Sequence, residues 1–168
     1  MPEYADIYSL HRTRDRSTIE AFIRHFMDGG EVATDEFVVP PHVQIPLHSF
    51  ATVWDLIDYC CAHPQQDHWI PWRAMSGSRP EHACVNFLTD GSMVFGLSTD
   101  SVDQDFADHL CEQLAQMPGA VASYITHEDE SPASAPDFIA FVQTLPIVDQ
   151  SETRSSRARR LDATYTPQ

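Results

Sequence analysis

The chain has 168 residues, the size of one domain, and its 25 acidic residues outnumber 10 basic residues that are all arginine. Residues 1–150 carry a net charge of −17, whereas residues 151–168 carry +2. This strong negative charge repels nucleic-acid phosphates and anionic membrane surfaces, so neither is expected as an ordinary partner. A hydrophobic content of 42% is too high for a disordered acidic chain, so the composition predicts an acidic globular domain.

The first half of the chain contains the clearest helical pattern. Ser17 and Glu20 have the spacing of a capping box, in which each side chain satisfies the backbone N–H of the other residue. An apolar face then recurs at helical period until Gly29, which favours the end of a helix. Apolar patterns predict the other elements of this half: a strand at 6–12, an edge strand at 36–48, a helix at 52–63 and an edge strand at 69–75. The edge positions are inferred from prolines, which cannot donate to a central ladder.

The second half contains the strongest tertiary signal. Two β-like runs at 83–89 and 93–99 are separated by Asp90 and Gly91, a dipeptide typical of a tight hairpin turn. Periodicity predicts three further elements: a helix at 102–117, a strand at 121–126 and a helix that begins at residue 134. Beyond residue 146 the apolar periodicity stops.

This order of elements predicts an α+β domain over residues 1–149. Helices mixed with hairpin-joined strands favour a two-layer sandwich, in which a mostly antiparallel sheet carries amphipathic helices on one face. The run of hairpin, helix and strand fits half of a ferredoxin-like split β-α-β. Residues 150–168 read as an Arg/Ser-rich mobile tail. Nucleic-acid contact is predicted only through its four arginines, and contact with the acidic body or a simple role in solubility is at least as well supported: Arg154, Arg157, Arg159 and Arg160.

The expected cellular location and the expected cofactors follow from sequence signals that the chain lacks. The N-terminus has no basic region followed by an apolar run, and no window approaches about 18 apolar residues, so we expect a cytoplasmic protein. The nearest approach to a zinc set is Cys60 and Cys61 with His63 and His68. Adjacent cysteines on a helix diverge by about 100°, so they more readily continue its apolar face than converge on an ion. We therefore predict no metal and no other cofactor.

Two segments have the composition of a binding surface. His68, Trp69, Trp72 and Arg73 are of types enriched at interfaces, and strand alternation predicts that one tryptophan is buried and the other is available. The other segment is an acidic stripe along the third helix, which is most simply a solvated face but would also suit a surface that mimics phosphates: Asp105, Asp108 and Glu112.

Function is the least determined property. The chain has no G-x-S-x-G, C-x-x-C, P-loop or G-x-G-x-x-G motif. The leading hypothesis is a non-catalytic binding or inhibitor protein that acts on a basic protein partner. In composition it resembles bacterial immunity proteins and inhibitors of nucleases or toxins, which are small, acidic and free of motifs. Two alternatives stay open: a small enzyme or ligand-binding domain with a pocket around His68 and Arg73, and a homodimer or larger homo-oligomer formed through the proline-bearing edge or the tryptophan segment.

Overall fold

The computed structural model describes residues 4–41, 43–100, 103–127 and 129–145, together with the backbone of 157–160. Its helices are α1 (Arg16–Phe26), α2 (Val53–Ala62), α3 (Gln104–Ala115) and α4 (Ala135–Thr144). Its strands are β1 (Tyr4–His11), β2 (Glu31–Val32), β3 (Val38–Val39), β4 (His48–Ser49), β5 (His68–Arg73), β6 (His82–Phe87), β7 (Met93–Asp100), β8 (Ala120–Thr126) and β9 (Arg157–Arg160).

One large sheet organises the molecule. Its seven strands lie in the order β2-β5-β6-β7-β1-β8-β9, and each neighbouring pair is antiparallel. The predicted hairpin is β6–β7, closed by bonds from Leu88 N–H to Ser92 O and from Gly91 N–H to Leu88 O. Gly91 has φ +87°, as expected for a three-residue loop that ends in a left-handed glycine. The α+β class and the antiparallel sheet are confirmed.

Three helices cover one face of this sheet. Apolar residues of α1, α2 and α3 form one buried cluster with alternate residues of β1, β5, β6 and β7. At its centre the Phe22 ring of α1 stacks on Phe95 of β7, with 4.2 Å between ring centroids. Each such fully buried side chain contributes about 1.5–3 kcal/mol by removing apolar surface from water.

The fourth helix differs from the expectation that every helix shares one face. Phe138 and Val142 of α4 belong to a second buried cluster with Leu10, Val94 and Tyr124. These strand residues alternate with those of the first cluster, so α4 lies on the opposite face. It covers only part of that face, and this partial cover shapes the candidate site.

Local details of the predicted elements also differ. α1 is capped by Asp15 rather than Ser17, because the Asp15 carboxylate accepts from Thr18 N–H at 2.9 Å and from the Ser17 hydroxyl at 2.6 Å. α3 begins later than predicted, since the Asp103 side chain accepts from Phe106 N–H and caps it. The predicted strand at 36–48 is interrupted by prolines, and only its ends pair, as the small sheet β3–β4. β5 is next to the edge, because β2 pairs with its last two residues.

Part of the C-terminal segment continues the large sheet. β9 lies antiparallel to β8, with Ala158 opposite Tyr124. These four residues lie within the predicted Arg/Ser-rich tail, and they satisfy the backbone groups of a strand that would otherwise be an edge. Arg154 lies outside the described residues. Within the described ranges, no helix has the length and apolar character needed to cross a membrane.

Candidate functional site

β5 divides the predicted tryptophan segment between two faces. His68 and Trp72 point into the core side and are 6% and 3% exposed, whereas Trp69 is 59% exposed and Arg73 is exposed on the other side. The predicted alternation of the two tryptophans is therefore confirmed. His68 and Arg73, around which a pocket is one of the predicted alternatives, project from opposite faces of β5, because residues five apart on a strand alternate.

The outward side of the sheet carries two cross-strand rows in register. We call the first the polar row, and it runs from β5 to β8 through Arg73, His82, Ser98, Asp6 and Thr126. We call the second the aromatic row, and it runs beside the first through Pro71, Cys84, Gly96, Tyr8 and Tyr124. Together with Trp69 these rows form the surface that we name the open sheet face. α4 packs at its β8 end, whereas the side chains of β5 and β6 are exposed or half-buried.

The absence of a side chain at Gly96 leaves room for two neighbouring side chains at the middle of this surface. A Cβ placed there would lie 2.5 Å from the Cys84 Sγ and 3.0 Å from Cε1 of the Tyr8 ring. The Tyr8 ring and the thiol therefore meet above the backbone of β7. The Trp69 indole N–H bonds to the Cys84 sulfur, which lowers the pKa of the thiol by less than burial raises it. Burial raises the pKa of Cys84 to about 11, so this sulfur is a protonated packing group rather than a nucleophile.

Charge is distributed unevenly along the polar row. Arg73 stands at the β5 end, and Asp6 lies three strands away, where it accepts a hydrogen bond from the Ser98 hydroxyl. Beyond Asp6, the carboxylate of Asp129 accepts from Thr126 Oγ1 at 2.7 Å, and the backbone carbonyl of Asp129 accepts from the Tyr8 hydroxyl at 3.1 Å. Carboxylates of Asp6 and Asp129 thus lie near the place where β1 and β8 meet, and Arg73 lies at the β5 end.

The acidic stripe of α3 lies on the other side of the sheet. Asp105 is exposed, and Asp108 and Glu112 are half-buried. Because α3 packs on the first cluster, this stripe and Trp69 belong to opposite surfaces of the molecule. The two predicted binding segments therefore cannot contribute to one small contact.

An arginine partly neutralises the start of α3. Arg79 donates to Asp103 at 2.9 Å and lies 3.6 Å from Glu81 and 4.0 Å from Asp100. Its guanidinium also lies over the Phe106 ring, 5.5 Å from the centroid. This arrangement lowers the net negative charge at the N-terminal end of the helix, which weakens the case for α3 as a phosphate mimic.

A Ser–His arrangement that the sequence did not reveal lies beneath α3. The Ser123 hydroxyl donates to Ser9 Oγ at 3.0 Å, Ser9 Oγ lies 3.3 Å from His11 Nε2, and His11 Nδ1 lies 3.2 Å from the carbonyl of Pro118. The carbonyl can only accept, so Nδ1 carries the proton and Nε2 accepts from Ser9. Ser9 and Ser123 are 0% exposed and His11 is 1% exposed, so no substrate reaches this chain of bonds.

The cysteines and acidic groups do not assemble a metal centre in the part of the chain that the structure describes. No group of three or more histidine, cysteine or acidic side chains is arranged there to bind an ion. The four cysteines, all within the described ranges, form no disulfide bond, and burial raises the pKa of Cys60 to about 12 and that of Cys61 to about 11. These groups are protonated thiols near neutral pH.

The open sheet face is thus the surface on which aromatic, charged and exposed groups converge. Comparison with protein-family models, with curated proteins and with solved structures finds no match for this chain.

Proposed function

We propose that the protein is a non-catalytic binding protein that binds a basic protein partner through the open sheet face. The observation that carries this proposal is Trp69, whose large apolar side chain is 59% exposed on an ordered strand. Tryptophan is the residue type most enriched among the side chains that dominate interface energies. The paired strands around it, where Gly96 admits the Tyr8 ring, present half-buried side chains that suit contact with another protein.

The charge of the body supports a basic partner. The net charge of −15 creates a negative potential that accelerates encounter with a positive protein, and the carboxylates at the Asp6 end of the polar row lie on the same surface as Trp69. A non-catalytic role is supported by the chemistry of the interior, since the Ser–His arrangement is sealed and the thiols are held protonated.

Capture of partners at two salt concentrations tests this function. The screening length falls from about 10 Å at 0.1 M salt to about 3 Å at 1 M, so an electrostatically steered complex weakens strongly. We expect the immobilised chain to retain a basic protein from the extract of its native cell at the lower concentration and to lose most of it at the higher one, as read by mass spectrometry. Retention of an acidic protein, or of a basic protein equally at both concentrations, would contradict the proposal.

Contact between two copies of this chain is the alternative use of its exposed apolar surface, and it needs a separate measurement. Between β3 and β4, the side chains of Val43, Ile45 and Leu47 are 42%, 87% and 78% exposed, and this loop is an apolar feature separate from Trp69. Light scattering of the purified chain at the capture concentration is expected to give the mass of a monomer. A measured mass of a dimer would instead show that copies of the chain bind one another through an exposed apolar surface.

A further inference from the structure

We propose that the basic partner adds an extended segment of its chain as a further strand along the outer edge of β5, antiparallel to β5 and beside Trp69. This inference rests on the proposed function and deepens it, since it names the form in which the partner reaches the open sheet face. We define the outer edge as the side of β5 that faces away from β6, over the residues that precede Pro71.

The hydrogen bonds around β5 show which of its backbone groups face the outer edge. Directly after β5, Ala74 N–H donates to the carbonyl of Glu81 at 3.0 Å, on the β6 side. On the other side of the strand, the carbonyl of Pro71 accepts from Ala33 N–H at 2.8 Å. Since successive residues of a strand direct their N–H and C=O groups to alternate sides, both groups of Trp69 face the same side as the carbonyl of Pro71. The backbone of Trp69 is therefore directed to the outer edge.

The neighbouring strand β2 covers only the end of this edge. It pairs with the last two residues of β5, and the bond from Ala33 to Pro71 is its final contact there. The chain then passes to the helix side of the sheet, where Phe37 packs against the first cluster. Among the described residues no strand pairs with β5 before Pro71 on this side, so the edge at Trp69 can accept a strand from another molecule.

The charges near the outer edge favour a basic segment as the added strand. Asp67 directly precedes β5, Asp35 and Glu36 lie on the segment that leaves β2, and all three side chains are exposed. Arg73 lies at the end that β2 already covers, and Glu31 of β2 stands opposite it. A segment with lysine or arginine at alternate positions is therefore attracted to this edge, whereas a second copy of the acidic chain is repelled from it.

An antiparallel strand at this edge brings one side chain of the partner next to the Trp69 ring. We propose this direction because every neighbouring pair of strands in the large sheet is antiparallel. The residue opposite Trp69 then directs its own N–H toward β5 and its side chain to the same face as the indole. The ring is 59% exposed, and its N–H is held by the sulfur of Cys84, so its position is set before a cation stacks on it.

The probe for this inference is a seven-residue peptide of alternating lysine and valine, blocked at both ends and titrated into the full chain. The main measurement is hydrogen exchange of the Trp69 amide, read by NMR. Because this N–H faces the outer edge, we expect saturating peptide to slow its exchange by about tenfold or more through a new hydrogen bond. The amide of Ile70, which faces β6, is the internal control and should change little. A peptide of alternating glutamate and valine should not bind.

Two N-methylated forms of the lysine peptide separate strand addition from charge attraction, since both keep every side chain. Methyl groups on the lysine backbone nitrogens point at β5 in the proposed register and should weaken binding about tenfold or more, whereas those on the valine nitrogens point away and should be tolerated. The double variant Asp35→Asn and Asp67→Asn should weaken binding about threefold. Asp105→Asn with Glu130→Gln changes the net charge equally at exposed positions outside this edge and should have a smaller effect.

The outcomes separate this inference from the function on which it rests. Equal binding by both methylated peptides, or an unchanged exchange rate of the Trp69 amide at saturation, would overturn the added strand. Slow exchange of that amide in the concentrated chain without peptide, lost on dilution, would overturn it in favour of a second copy. If a captured basic protein needs the Trp69 side chain but leaves the exchange of its amide unchanged, the proposed function stands and strand addition is wrong. If the lysine peptide behaves as expected and no basic protein is captured, the edge site stands and the proposed partner class is wrong.

Discussion

Replacement of Arg14 by methionine is expected to destabilise the protein by about 3 kcal/mol, because it removes several partly buried hydrogen bonds from a charged donor, each of which is worth more than a neutral one. Arg14 donates to the carbonyls of Cys60 at 2.8 Å, His63 at 2.9 Å and Ser92 at 3.3 Å, and also to that of Leu88. It thereby joins the C-terminal end of α2 to the β6–β7 hairpin. Thermal unfolding should show a midpoint lower by roughly 6–12 °C.

Two further variants separate the geometry of Arg14 from its charge. Arg14→Lys keeps the positive charge, but one ammonium group cannot reach carbonyls on both α2 and the hairpin, so we expect most of the loss to remain. Arg24→Met removes an exposed arginine on α1 and should change the midpoint by less than about 2 °C. An Arg14→Lys variant as stable as the wild type would show that charge alone is what matters at this position.

Acidification from pH 6.5 to pH 4 is expected to cost about 3 kcal/mol through His11 alone. Burial, only partly offset by the bond to the carbonyl of Pro118, lowers the pKa of His11 from 6.5 to about 4. In this interval the unfolded chain binds a proton at His11 and the folded chain does not, so stability falls as the pH falls. Each pKa unit between the two states is worth about 1.4 kcal/mol, which gives the stated magnitude.

The His11→Asn variant isolates this effect. Asparagine can donate to the carbonyl of Pro118 as His11 Nδ1 does, but it does not titrate. Urea unfolding at a series of pH values should give a difference in unfolding free energy between wild type and variant that changes by about 3 kcal/mol between pH 6.5 and pH 4. His25→Asn makes the same substitution at an exposed position of α1 and serves as the matched control. Parallel profiles for wild type and His11→Asn would contradict the assignment.

The local elements were predictable because their signals are local. The helices were found from apolar periodicity, and the hairpin from Asp90 and Gly91, since both depend on residues close in sequence. Capping was harder to locate, because Asp15 and Ser17 are both good N-caps within two residues of each other and the aspartate accepts more hydrogen bonds. The side of the sheet on which α4 packs was not predictable, since it depends on which distant strands are neighbours.

The candidate surface was only half visible in the sequence for the same reason. Alternation along one strand predicts that one of Trp69 and Trp72 is buried and the other is exposed, and in the structure the exposed one is Trp69. Tyr8 and Asp6 were missed as site residues, because their place beside Gly96 and Ser98 is set by the antiparallel register of β1 and β7. Composition singles out the tryptophan segment, whereas nothing in the local sequence of β1 distinguishes it from an ordinary strand.

The affinity of the captured partner for two variants tests most directly whether binding occurs on the open sheet face. One variant is Trp69→Ala, and the other neutralises the opposite surface with Asp105→Asn, Asp108→Asn and Glu112→Gln. Loss of an interface hot spot corresponds to about 2 kcal/mol or more, so calorimetry should show the Kd for Trp69→Ala raised at least about 30-fold. The triple variant should change the Kd by about threefold or less, through long-range charge only. The reverse order, with the triple variant impaired and Trp69→Ala unaffected, would place the partner on α3 and contradict the account.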